Sequence, residues 1–312
     1  MLPAALLRSR LAVFLVLAAA PADAADRVLV LTSLQPTYSI AHALAKGTAI
    51  DVQQAFPADI GMDQQSPYLA RRRREDFIAA AQKAAAVVTI RKTWETDPLF
   101  PAVRRLNIRT IEIDASSPLS PELAGVALLP AGKDGAKDAV SPYIWLNPTN
   151  AIRMTDIVAA DLRRLSEADA KIIDANQVAF RQRILALKTE FEAKLAELDD
   201  PSVILLSPEL GYLTGGLGVD VAATFSKPGF DWNDADAAAL AEKIAASGVR
   251  GVIAMAKPKD AVAAAVAKAG GRLAVLDPID PGLVGADGKT DPDGFITVLR
   301  TNLERLMAAM KP

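Results

Sequence analysis

The chain has 312 residues, 51% of them hydrophobic and 5% aromatic, and 35 Lys and Arg against 37 Asp and Glu leave a formal net charge of −2. This length supports two domains with real cores, and the near-neutral balance excludes a general field for nucleic acid or an anionic membrane. There is no cysteine and one histidine, His42, which excludes disulfides, thiolate metal sites and any His-pair cluster.

Residues 1–24 read as a signal peptide. Arg8 and Arg10 form a basic start, residues 11–20 an apolar run too short to span a bilayer comfortably, and Ala22-Asp23-Ala24 an A-x-A cleavage site. Cleavage leaves a mature net charge of about −3. Export without a cysteine to carry lipid predicts a periplasmic protein that is not lipid-anchored.

Residues 27–33 (RVLVLTS) form a compact β run. Gln35-Pro36-Thr37 breaks it before a helical stretch at 38–45, which Gly47 closes as a C-cap. A second strand is expected over 50–56, a loop without periodicity over 58–68, and a helix over 71–85. A third strand follows at 86–90, a helix at 98–106 and a fourth strand at 108–113. Strands alternating with helices at this spacing imply a parallel sheet with right-handed crossovers.

Residues 118–140 are loop-like. Asn147-Pro148-Thr149-Asn150 then opens a helical run that carries through Leu198. Ile173, Phe180, Ile184, Leu187, Phe191, Leu195 and Leu198 fall on one stripe at helical spacing. Such a helix reaches about 35–40 Å, enough to run along two lobes. The pattern restarts beyond Pro201, with strands at 203–206, 219–223, 251–255 and 273–276 and helices at 235–246, 259–269 and 295–310. The fold class is therefore α/β: two lobes, each with a small parallel sheet flanked by helices, joined by one long rigid helix. The divisions are 25–165 for the first lobe, 166–198 for the connecting helix and 199–312 for the second. Ligands of open α/β sheets bind at the carboxyl ends of strands, here the facing edges of the lobes.

Five stretches carry a resemblance. Ser141-Pro142-Tyr143-Ile144-Trp145-Leu146-Asn147-Pro148 resembles the D-P-H-x-W-L-D-P of the substrate-binding proteins of metal-ion ABC transporters, the zinc and manganese family with a helical backbone. Ser66-Pro67-Tyr68 stands where that family has an earlier D-P-H, and Leu206 to Tyr212 where it has a His followed by a short run ending in Tyr. Val275-Leu276-Asp277-Pro278 matches its L-D-P, and Asn302-Leu303 its N-L. The resemblance covers nearly the whole mature chain. It implies a binding protein rather than an enzyme, with a membrane permease and a cytoplasmic ATPase as partners, no nucleic acid, and a monomeric state.

The family binds its ion with three His and one carboxylate. Carried over, these fall on Tyr68, Tyr143, Ser207 and Asp277, with Glu209 an equal occupant of the third position. Imidazole and thiolate suit zinc; two phenols and carboxylates are a hard oxygen set. Ligation must remove a proton from a phenol of pKa about 10, which calls for a strongly Lewis-acidic ion, and Tyr is an iron ligand in catalases. The expected metal site is thus Tyr68, Tyr143, Glu209 and Asp277, with iron or manganese favoured over zinc. The alternatives are a metal chelate or small organic ligand lined by hydrogen-bonded tyrosines, or a metal-free interaction protein on the same fold. Asp59 and Asp63 could add an oxygen ligand. Asp231 is a further candidate, or equally the cap of the helix that follows it. Arg71 to Arg74 read as a solvated helix start or as a clamp for an anionic ligand group.

Overall fold

The structure is a computed structural model, and it describes residues 27–71, 75–130, 140–227 and 231–311. The expected signal peptide, Arg72 to Arg74 and part of the 118–140 loop lie outside the described residues, as does the side chain of Arg71. No helix among the described residues is long and apolar enough to cross a membrane.

Two four-stranded parallel sheets form the core. The first is built from β1 (Val28–Thr32), β2 (Ile50–Gln54), β3 (Ala86–Thr89) and β4 (Ile111–Asp114), in the order β2-β1-β3-β4. The second is built from β5 (Ser202–Leu205), β6 (Asp220–Thr224), β7 (Gly251–Ala254) and β8 (Arg272–Val275), in the order β6-β5-β7-β8. Continuous apolar runs in the central strands follow from burial on both faces. Val30 and Val88 point to one core while Leu31 and Val87 point to another; Val203 and Ile253 likewise oppose Ile204 and Val252.

The first lobe carries α1 (Gln35–Ala45), α2 (Met62–Arg71), α3 (Glu75–Lys83) and α4 (Leu99–Leu106). Two differences from the sequence expectation lie here. Pro36 sits in the first turn of α1, where its fixed φ and missing N–H are tolerated, so it begins the helix instead of delaying it. The stretch expected as loop before Tyr68 contains α2, which holds Pro67 in its interior. The fourth strand starts later than expected because the chain turns first at Asn107, whose carbonyl accepts from Thr110 N.

The middle of the chain holds α5 (Pro148–Leu165) and α6 (Ala170–Leu195). The helical run is interrupted: Ser166 is extended at φ −140°, and residues 167–169 form a 3₁₀ turn. Ser166 Oγ donates to Asp169 Oδ2, which also accepts from Ala49 N. Past this turn α6 runs back along α5. Arg163 pairs with Asp174 while Arg181 pairs with Asp156, a crossed order that only an antiparallel hairpin gives. At 26 residues α6 is about 39 Å long. Its buried residues are Ile173, Phe180, Ile184, Leu187, Phe191 and Leu195, the expected stripe.

The second lobe adds α7 (Gly211–Leu217), α8 (Asp234–Ser247), α9 (Asp260–Lys268) and α10 (Gly294–Met310). Asn233, not Asp231, caps α8: its side chain accepts from Asp236 N, and the Asp236 carboxylate accepts from Asn233 N. One apolar cluster runs from β1 and α1 through α5 and α6 into β5, α7 and α10. The two sheets thus share a central helical layer.

Candidate functional site

The strand order reverses beside β1 in one sheet and beside β5 in the other, and the carboxyl ends of the strands feed the segments that meet between the lobes. Tyr143 stands at the centre. Ile144, Trp145 and Leu146 form a fully buried 3₁₀ turn, and Asn147 caps α5 by accepting from Thr149 N at 2.8 Å. With the chain pinned on that side, Tyr143 is held at the start of the turn, its ring edge-on to Trp145 at 5.4 Å between centroids. On the other side Tyr212 Oη donates to Ser141 O and accepts from Leu129 N, both at 2.9 Å.

Burial pushes the Tyr143 phenol up to about 12, reinforced by the carboxylates of Asp280, Glu209 and Asp63. Those three neighbours outline the candidate site. Asp63 lies in the first turn of α2, Glu209 in a 3₁₀ turn (Pro208–Leu210) after β5, and Asp280 in the segment after β8. Asp280 accepts from Met62 N at 3.0 and 3.1 Å through its two oxygens, a contact from one lobe to the other. Burial, with Asp63 and Asp277 nearby, raises its carboxyl to about 6. The backbone just before it is strained: Ile279 has φ 61° and a fully buried side chain. A β-branched residue rarely adopts that conformation, and such strain persists only where the surroundings fix it. Here Ile279 N donates to Asp277 Oδ1 at 2.7 Å, and Trp145 Nε1 to Pro278 O at 2.8 Å.

The expected site residues divide. Tyr143 and Glu209 are near enough for the Glu209 carboxylate to raise the phenol. Asp277 sits beside Asp280 but is exposed, with one oxygen capping its own turn and its backbone paired to the Asn302 side chain. Ser207 Oγ accepts from Met255 N at 3.0 Å, which ties it to the end of β7. Tyr68 is not brought to the cleft. Its ring lies edge-on to Phe56 at 5.6 Å and packs in the apolar cluster of Leu31, Val87 and Leu99. The reason is that α2 starts at Met62, so Asp63, about a turn and a half earlier, takes the cleft end of the helix. His42 lies in α1 against Tyr38, with burial lowering its pKa.

Sequence reasoning missed Asp280. A second Asp-Pro pair three residues after Asp277-Pro278 was the available signal. Asp63 was weighed only as an addition. No three His, Cys, Asp or Glu side chains among the described residues are grouped closely enough to hold an ion by themselves. What converges is a phenol and separate carboxylates around a half-buried cleft, with no imidazole among them.

Two sheets facing one cleft across a helical layer, with acidic groups at the strand ends, define a two-lobe solute-binding protein. Residues 30–309 match the family described as ZnuA, zinc-uptake complex component A, periplasmic, and the chain belongs to that family. The family is one of solute-binding components and not of enzymes. The chain is 25% identical over 176 residues to the zinc-binding protein AdcA of Streptococcus pyogenes serotype M6, covering 56% of this chain and 34% of that protein. It is 23% identical over 308 residues to the zinc-binding lipoprotein AdcA of Streptococcus pneumoniae serotype 4, covering 96% and 59%. The chain therefore spans only about a third to three-fifths of the length of these relatives. Among solved structures, an FpvC mutant from Pseudomonas aeruginosa superposes with a TM-score of 0.71 at 20% identity, covering 90% of this chain and 98% of that one. A ZnuA crystal structure gives 0.67 at 19%, covering 92% and 100%.

Proposed function

We propose that this protein is the extracytoplasmic binding component of an ABC uptake system and captures a metal cargo in the cleft around Tyr143. Its partners are then a membrane permease and a cytoplasmic ATPase. The observation that carries this reading is the Tyr143 phenol surrounded by Asp280, Glu209 and Asp63. Three carboxylates near enough to one half-buried phenol to raise it make this an electronegative cleft, which a bound cation would offset, and the family supplies the transport context.

The donors are Tyr143, Glu209 and Asp280, with Asp63 and Asp277 at the margin. All are oxygens. Relatives of the chain are named for zinc, and FpvC structures are described with Ni2+ and Mn2+. Hard oxygen ligands without imidazole or thiolate suit manganese or ferric iron better than zinc. We therefore place iron or manganese ahead of zinc for this chain. A metal chelate is the second reading, favoured because no three carboxylates among the described residues are grouped closely enough to hold an ion without the phenol.

Titration of the protein with Fe3+, Mn2+ and Zn2+, read by calorimetry and native mass spectrometry, tests the proposal. The expected outcome is one ion per chain, weakened about tenfold or more in Glu209→Gln. For Fe3+ a tyrosinate charge-transfer band should appear and be lost in Tyr143→Phe. If no ion binds while a metal complex does, the second reading holds; if neither binds, the metal cargo is wrong.

A further inference from the structure

Residues 277–293 leave the second lobe after β8, cross to the first, and return to α10. This strap is tied down at few points. Trp145 Nε1 holds Pro278 O, Gly282 N donates to Ala58 O at 2.7 Å, and Leu283 N donates to Gln35 Oε1 at 2.9 Å. Gln35 Nε2 donates in turn to Asp291 O at 2.8 Å. Gln35 is fully buried and wedged between Gly282 and Gly294, where an added Cβ would lie 2.8 Å from it. Farther out the strap is packed loosely, with Thr290 its one buried residue between 283 and 290. A cavity of about 590 Å³ separates residues Gly288 to Thr290 from the edge strand β2, and Leu283 and Val284 are exposed at 36% and 50%.

Its far end is also held to α6 by the Arg183–Asp293 ion pair at 2.7 Å, but of its contacts with the first lobe one is made by a charged side chain. Asp280 sets both carboxylate oxygens on Met62 N at the start of α2. A carboxylate at a helix N-terminus gains from the unpaired N–H groups and from the helix dipole. The strained Ile279 aims it there, and the same carboxylate faces Tyr143.

We propose that Asp280 is the latch of this strap: it holds residues 277–293 of the second lobe against α2 of the first and so controls entry to the Tyr143 cleft. The latch stands on cross-lobe geometry alone; its consequence for entry rests on the capture reading above.

The absence of cysteine makes the test direct. Gln53→Cys and Ala286→Cys, one on β2 and one on the strap, take nitroxide labels whose separation is measured by pulsed electron resonance in protein without cargo. The latch predicts a narrow distance distribution in the parent that broadens to longer values in Asp280→Ala. Met62→Pro should do the same, because it removes the N–H from the other side at a first helical position where proline is tolerated. Met62→Ala, which keeps the N–H, should stay narrow and controls for the lost side chain. Amide exchange at Gly282 and Leu283 should rise about tenfold or more in both latch variants. Narrow distances in both variants would overturn the proposal. So would broadening in Asp280→Ala but not in Met62→Pro, since Asp280 would then act within its own turn. Stopped-flow mixing with Mn2+ reads the consequence: Met62→Pro should load faster than the parent at unchanged donor set. Should Mn2+ fail to bind any variant, the capture of that ion fails while the label distances still decide the latch.

Discussion

Asp97 shows how a single side chain sets a pH dependence in this fold. It is 1% exposed at the start of α4, where Oδ1 accepts from Leu99 N at 2.9 Å while Oδ2 has no hydrogen-bond partner. Burial raises its carboxyl to about 7, against the lowering effects of Leu99 N and Arg91. The folded protein therefore keeps a proton that the unfolded chain has lost between about pH 4 and 7. Stability from this group is complete below its unfolded pKa and is lost as pH rises through the folded value, by on the order of 1.4 kcal/mol for each pH unit crossed between the two. Asp97→Asn keeps an oxygen for Leu99 N and removes the charge. Its urea midpoint should change less between pH 5 and pH 8 than the parent's, and the variant should be the more stable of the two at pH 8. An identical pH dependence would show that Asp97 ionises at no cost. Nothing in the local sequence Thr96-Asp97-Pro98 distinguishes this residue from an exposed helix start. It lies at a cavity of about 430 Å³ between α2 and α4, a tertiary setting that residue type alone does not encode.

At the scale of elements, α7 packs against the start of α5 through a pair of glycines with opposite demands. A Cβ on Gly216 would come within 2.7 Å of Asn147 Oδ1 and 2.9 Å of Pro148 Cδ, whereas one on Gly215 would meet nothing within 4 Å. Gly216→Ala should cost about 1–3 kcal/mol by forcing the helices apart and disturbing the α5 cap. Gly215→Ala should be neutral or stabilise by about 0.5–1 kcal/mol through helix propensity. Denaturant midpoints of the two variants check the contrast; equal effects would refute the close approach. Element identity was largely legible. The strands and the later helices were marked by apolar runs and by the stripe from Ile173 to Leu195. Less legible was α2, because Pro67 in its interior reads as a breaker and its packing against the first lobe overrides that preference. The hairpin turn at Ser166 was equally hidden: helical spacing continues on both sides of it, and only the pairing of Arg163 and Arg181 with α6 and α5 acids shows the chain reversing.

For the molecule as a whole, one apolar cluster joins both sheets through α1, α5, α6, α7 and α10. Two lobes on a shared core should unfold together. Calorimetry is expected to give a single transition whose van't Hoff and calorimetric enthalpies agree; two resolved transitions would mean that the lobes are energetically separate. Coupling of this kind also leaves the strap, more than the lobes, as the part free to move. The sequence by itself determined the two-sheet α/β plan, the central Tyr143 element and the lack of imidazole donors, since strand burial, the Trp145 turn and side-chain type are local properties. Tertiary structure alone decided which acids surround Tyr143. Asp63, Glu209 and Asp280 are far apart in the chain, and each reaches the cleft because of where its helix or turn begins. A helix start at Met62 sends Tyr68 into the core and Asp63 to the cleft, and the strained turn at Ile279 makes Asp280, beside the exposed Asp277, the carboxylate that spans the two lobes.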